Sequence, residues 1–200
     1  MTETLMLTDD EAAAIALVAG GAWSALLPTV DEDDEDSVVP AIIRGRRSMV
    51  VRGLASEDGL LVGDAAQVVG RLGGGPRAMF LVVDAGGSWV TAGPTIYLYG
   101  PTTENIEMSQ LVSPAGVHAF RIDPPARQWW ALTQLAEAVF NDGFTTADGD
   151  ERQSAAAWLG LTREDGTRAI QVAKGSVSVA QGPVTGTFAS VAAAVAWLAG

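Results

Sequence analysis

Apolar positions recur at two different spacings along this chain, and the change from one to the other divides it into helical and strand-rich stretches. Thr8-Asp9-Asp10-Glu11 has the form of a capping box, with the Thr8 hydroxyl and the Glu11 carboxylate each placed to take a free backbone amide of the first turn. It predicts a helix over Asp9 to Leu27, closed by Pro28. Ile15, Val18, Trp23, Leu26 and Leu27 are its large apolar residues, and alanine fills so many of the gaps that almost no polar face remains. Ser37 opens a second helix with Pro40 in its first turn, running to Gly53 or Leu54. Its spacing predicts Ile42, Ile43, Met49 and Val50 inside and Arg44, Arg46, Arg47 and Arg52 outside. After the turn Glu57-Asp58-Gly59, Asp64 caps a short helix through Val68, Val69 and Leu72, stopped by the glycines 73 to 75.

From Pro76 the period shortens to that of strands. Ala78 to Val83, Ser88 to Thr91, Thr95 to Tyr99 and Ile106 to Val112 are β-prone runs separated by glycine and proline turns, as in an antiparallel meander, and Val117 to Ile122 adds a fifth. Asp123-Pro124-Pro125 then supplies an N-cap and a proline for a helix on which Trp129, Leu132, Leu135, Ala136 and Val139 share a face. Past the polar segment Thr145 to Gln153, Ala155 to Leu161, Arg168 to Ala173 and Ser176 to Gln181 form hairpins. A C-terminal helix is expected to begin near Thr185 or Thr187. The fold class that follows is α+β, with antiparallel sheet and packed helices in one domain over residues 1–200. Because a strand, proline, helix order occurs twice, two quasi-symmetric halves are expected at about 1–141 and 153–200.

The last helix carries Phe188, Val191, Val195 and Leu198 along one side and Ala189, Ala193, Ala194, Ala196 and Trp197 along the other. A helix apolar all round is either enclosed or has one face in an interface. On the second alternative Trp197, Ala193 and Ala194, with Trp23 of the first helix, are the candidate partner-binding residues.

Charge sharpens the picture. With 24 carboxylate residues against 12 lysines and arginines, the formal net charge of −12 disfavours nucleic acid and anionic membrane. Asp31 to Asp36 is an unbroken run of six carboxylates that reads as an exposed, mobile loop able to neutralise the arginines of the second helix. It lacks the glycine and the terminal glutamate of a calcium loop. The uncharged stretch Ala12 to Leu27 is too short to span a bilayer, and the acidic N-terminus argues against a secretory signal. With no cysteine in the chain, the expected compartment is the cytoplasm.

Chemistry is hard to find in these residues. Zero cysteines remove thiolate nucleophiles and cysteine metal sites. His118 is the only histidine and sits within a strand pattern, which fits a satisfied structural role, and no Gly-x-Ser-x-Gly elbow is present. Lys174, the only lysine, falls in a hairpin turn, where a phosphate loop would need a helix after it. The reading is therefore a protein without catalytic residues, cofactor or metal, acting by binding another protein. Two alternatives are an acidic inhibitor or immunity-type protein using Asp31 to Asp36, and a small-molecule enzyme using carboxylates such as Asp84 or Asp123.

From about Pro40 onward the order of elements resembles the EspG family, cytosolic chaperones of actinobacterial type VII secretion systems. The resemblance rests on Arg52-Gly53-Leu54 closing a helix, a short amphipathic helix through Leu72, strands leading to Val117-His118-Ala119-Phe120, the helix to Phe140, and a second unit of hairpins ending in an alanine-rich helix. It implies a single domain of two quasi-symmetric halves that binds a helical secretion substrate of the PE–PPE type. It carries no binding residue across.

Overall fold

A computed structural model describes residues 4–18, 25–72, 77–83, 95–100, 107–122, 125–143, 156–163 and 166–199. Strands β1 (Leu5–Thr8), β2 (Ala78–Val83), β3 (Thr95–Tyr99), β4 (Met108–Val112), β5 (Val117–Ile122), β6 (Ala156–Arg163), β7 (Gly166–Ala173) and β8 (Ser176–Gln181) join in one antiparallel sheet of order β1-β5-β4-β3-β2-β6-β7-β8. Helices α1 (Asp9–Val18), α2 (Glu35–Val51) and α3 (Gly63–Leu72) lie on one face, and α4 (Pro125–Asp142) and α5 (Val191–Ala199) on the other. The chain is thus an α+β fold in which strands β2 to β5 lead into α4 and β6 to β8 lead into α5.

Alternation along the strands sorts the core into two layers. Under α4 and α5 the cross-strand neighbours Ala78, Phe80, Leu159, Leu161 and Ile170 pack with Leu132, Ala136, Val191 and Leu198. On the opposite face Leu5, Leu7, Tyr97, Tyr99, Met108, Val112 and Phe120 meet Ile15 of α1, Met49 of α2 and Val68 of α3. Each layer buries apolar surface at roughly 25 cal/mol per Å², so the sheet is held from both sides.

Several expectations are corrected. Leu5 to Thr8, unassigned in sequence, is an edge strand whose Thr8 is also the cap of α1. The first helix does not reach Leu27, since Ala25 to Leu27 is irregular. The acidic run is a turn at Asp31 to Asp34 followed by the start of α2: the Asp34 side chain accepts from the Asp36 amide as N-cap, and Glu35 and Asp36 occupy the first turn. Carboxylates are stabilised there by the unpaired amides and positive end of the helix, so the run initiates α2 in place of forming a loose loop. Ile43 and Val50, expected inside, are exposed, because α2 turns Ala41, Gly45 and Met49 inward. The C-terminal helix starts at Val191, since Phe188 donates its amide to Val177 and continues the pairing of β8. The expected strand at Ser88 to Thr91, the glycines 73 to 75 as a set, the cap at Asp123-Pro124 and the segment Thr145 to Gln153 lie outside the described residues.

Candidate functional site

The Thr8 to Glu11 motif is where most buried polar groups converge. Glu11 Oε2 accepts from the Thr8 amide at 3.0 Å and Thr8 Oγ1 accepts from the Glu11 amide at 3.3 Å, completing the capping box. Each acid then makes a long-range contact. Asp10 takes the Arg44 guanidinium through two bonds of 2.7 and 2.8 Å, which raises the arginine's pKa. Glu11, enclosed in the protein, accepts from Ser48 Oγ at 2.6 Å and from Arg52. Of the three arginines of α2 and the fourth at its C-cap, Arg44 and Arg52 are thus neutralised by α1, and not by the acidic run that sequence suggested.

Asp9 points the other way, into the sheet. Its Oδ1 lies 2.6 Å from His118 Nε2, and its Oδ2 accepts from the Thr29 amide and hydroxyl. Gln110 Nε2 lies 2.7 Å from His118 Nδ1, and Gln110 Oε1 accepts from Tyr99 Oη at 2.6 Å. Because the Gln110 amide donates to Nδ1, Nε2 carries the imidazole proton and donates it to Asp9. Burial raises the Asp9 pKa, but the donors His118 and Thr29 outweigh it and the net shift is downward. Although aspartate and histidine pair as they would in a catalytic triad, His118 is 0% exposed and its second nitrogen is taken by Gln110 where a nucleophile would stand. This chain of bonds ties α1 to β3, β4 and β5. Among the described residues no group of three or more His, Cys, Asp or Glu is arranged to hold a metal ion, and no helix is long and apolar enough to cross a membrane.

A more open site lies on the α4 side of the sheet. One apolar row runs across the strands through Ile170, Leu159, Phe80, Ile96, Leu111, Ala119 and Met6. Its β2, β6 and β7 members are covered by α4 and α5. Towards β1 the cover stops: Leu111 is 40% exposed and Met6 45%, and Trp130 of α4, 63% exposed, lines the same cleft as Leu111. Between the sheet and α4 is a cleft of about 340 Å³, lined by Ile96, Leu111, Ala119 and Trp130 with the polar Ser109, Arg121 and Gln128. Sequence singles out neither residue: the run Ile106 to Val112 does not say which of its faces is left open, and Trp129, not Trp130, carries the apolar face of the α4 helix.

The residues proposed from sequence are dispersed. In α5, Ala194 is fully enclosed in the core while Ala193 is exposed. Trp197 is half-buried: its ring packs on Phe188 with centroids 5.5 Å apart, the Arg168 guanidinium lies 5.8 Å from it, and it closes over Gly182. Its neighbours therefore clamp α5 to β7 and the chain after β8. Trp23, Asp84 and Asp123 lie outside the described residues. Comparison of the chain with models of known protein families and with curated proteins returned no match.

Proposed function

We propose that this is a non-catalytic protein-binding protein whose partner docks on the uncovered part of the sheet beside Trp130. The observation that carries the reading is the apolar row that continues from beneath the helices into solvent, ending at Leu111 and Met6 with an exposed tryptophan at its margin. Exposed aromatic and aliphatic side chains around a concave surface are the usual anchors of a protein interface. The closed Asp9–His118–Gln110–Tyr99 chain supports a structural role for the only histidine. The finer reading is a cytoplasmic chaperone or adaptor of a type VII secretion system that holds a helical substrate of the PE–PPE type. It is supported by the resemblance in element order and by the cleft, which offers apolar walls to one face of a helix.

The test is co-expression and co-purification with such a substrate pair, comparing wild type with Trp130→Asp and Leu111→Asp. Both side chains are exposed, so both variants are expected to keep the wild-type melting temperature within about 2 °C, a shift of under 1 kcal/mol for a chain of this size. Capture by the wild type and at least a tenfold loss in the variants, about 1.4 kcal/mol, is the expected result. Failure of wild type to retain the pair removes the secretion reading, and retention undiminished in both variants removes the site.

A further inference from the structure

Helix α2 has a second apolar face that no other described element covers. Its inner side, Ala41, Gly45 and Met49, is buried against α1, with Gly45 so close that a β-carbon there would lie 1.9 Å from the Asp10 carbonyl oxygen. On the opposite side Val39 is 44% exposed and Ile43 47%, four residues apart, and Val51, 87% exposed, follows at the end of the helix. This stripe has acidic residues at one end, Glu35 and Asp36, and basic residues at the other, Arg46 and Arg47. All four are exposed. Neither Arg46 nor Arg47 is ion-paired to another described residue, in contrast to Arg44 and Arg52. Alongside the basic end is an apolar cleft of about 620 Å³ lined by Ile43, Arg46, Arg47, Val50, Val51 and Glu57.

A stripe with carboxylates at one end, aliphatic residues in the middle and guanidinium groups at the other is complementary to itself when reversed. We propose that two copies of this chain associate through α2 packed antiparallel on α2, about a twofold axis that crosses the outer face of the helix at the level of position 41. The register follows from the spacing. Glu35 meets Arg47 of the second copy, Asp36 meets Arg46, and Val39 meets Ile43, each contact occurring twice as an isologous interface requires. Residues 35, 39, 43 and 47 fall on one side of a helix, and Glu35 and Arg47 are about 18 Å apart along its axis at ~1.5 Å per residue. The first turn of one α2, with Val39, thereby seats in the cleft beside Arg46 and Arg47 of the other. A hetero-partner would have to bring the same acid and aliphatic order, whereas the chain already carries it.

Repulsion between two molecules of net charge −12 opposes the encounter. It is screened over about 8 Å at physiological ionic strength, whereas pairs in contact at the interface are screened less. One helix and a flanking turn lie at the low end of interface size, so the association is concentration-dependent and in the micromolar range. The inference is independent of the open sheet face and of what binds there.

Sedimentation velocity from about 1 to about 200 µM at physiological salt tests it. Wild type is expected to pass from monomer to dimer across that range. Arg46→Glu with Arg47→Glu, and separately Glu35→Arg with Asp36→Arg, should each weaken self-association at least tenfold, while circular dichroism shows the fold retained. Mixing the two doubly substituted proteins restores the dimer, because every pair is then opposite in sign again. A wild type that stays monomeric throughout overturns the proposal, as does a dimer that the substitutions leave unchanged or that mixing fails to restore.

Discussion

At the scale of single residues, Asp9 is an acid whose loss is costly. It is buried, and both its oxygens are filled by donors from His118 and Thr29. Replacing it by asparagine removes the charge and turns an amide donor towards groups that already donate. The expected loss is about 2 to 4 kcal/mol, measured by urea denaturation at pH 7. The pH dependence has a definite sign. Since the folded pKa of Asp9 lies below its ordinary value of 3.8, the contribution is complete above that value and disappears as pH falls through the lower folded one. Asp9→Asn should flatten the acid limb of the stability curve in that interval, and an unchanged acid limb would refute the assignment. The local half of this cluster was readable, because a capping box is a pattern within four residues. Its distant half was not. His118 lies 109 positions from Asp9 and Ser48 lies 37 from Glu11, separations at which neither spacing nor propensity carries information.

At the scale of elements, the contact of α1 with α2 turns on one missing β-carbon. Gly45→Ala would force the helices apart or distort the Asp10 peptide, at about 2 to 3 kcal/mol, or roughly 5 to 10 °C in melting temperature. Gly70 of α3 is the control: a β-carbon there meets nothing within 4 Å, and its φ is not positive. Gly70→Ala should therefore stabilise by about 0.5 to 1 kcal/mol through helix propensity alone. Calorimetry on the two variants should show shifts of opposite sign. Sequence could place most elements, since runs such as Thr95–Tyr99 and Ser176–Gln181 are bounded by turn residues, but it could not orient α2. That helix has aliphatic residues on both sides, and only the partner across Gly45 decides which side is inward. Leu5–Thr8 escaped notice for a different reason. Four residues without a turn before the Thr8 cap have too little pattern of their own, and they become a strand because β5 offers Val117 to Phe120 as an edge.

At the scale of the molecule, both edges of the sheet are closed, which limits how a partner can engage it. Beyond β8 the chain folds back, with the Val179 amide donating to Gly186 and the Phe188 amide to Val177, so that edge is already paired. At β1 side chains do the same work. The outward carbonyl of Met6 accepts from Arg52 Nη2 at 2.7 Å, and the outward amide of Thr8 donates to Glu11, which is itself paired with Arg52. Strand addition by a partner is thereby discouraged at either end, and binding falls to the faces. Arg52→Ala tests this closure. It leaves the buried Glu11 carboxylate with the Thr8 amide and Ser48 hydroxyl but no counter-ion, and frees the Met6 carbonyl, so the cost should be about 2 kcal/mol, below that of a fully buried pair because Arg52 is partly exposed. Beyond that loss, the free edge should make the variant associate through β1 at concentrations where it remains folded, seen as light scattering that rises with concentration while the circular dichroism keeps its native form. Arg52→Lys, with one ammonium for two acceptors, should fall between the two. If Arg52→Ala loses stability but scatters no more light than wild type, the guanidinium is an anchor for Glu11 alone and β1 is protected by something else.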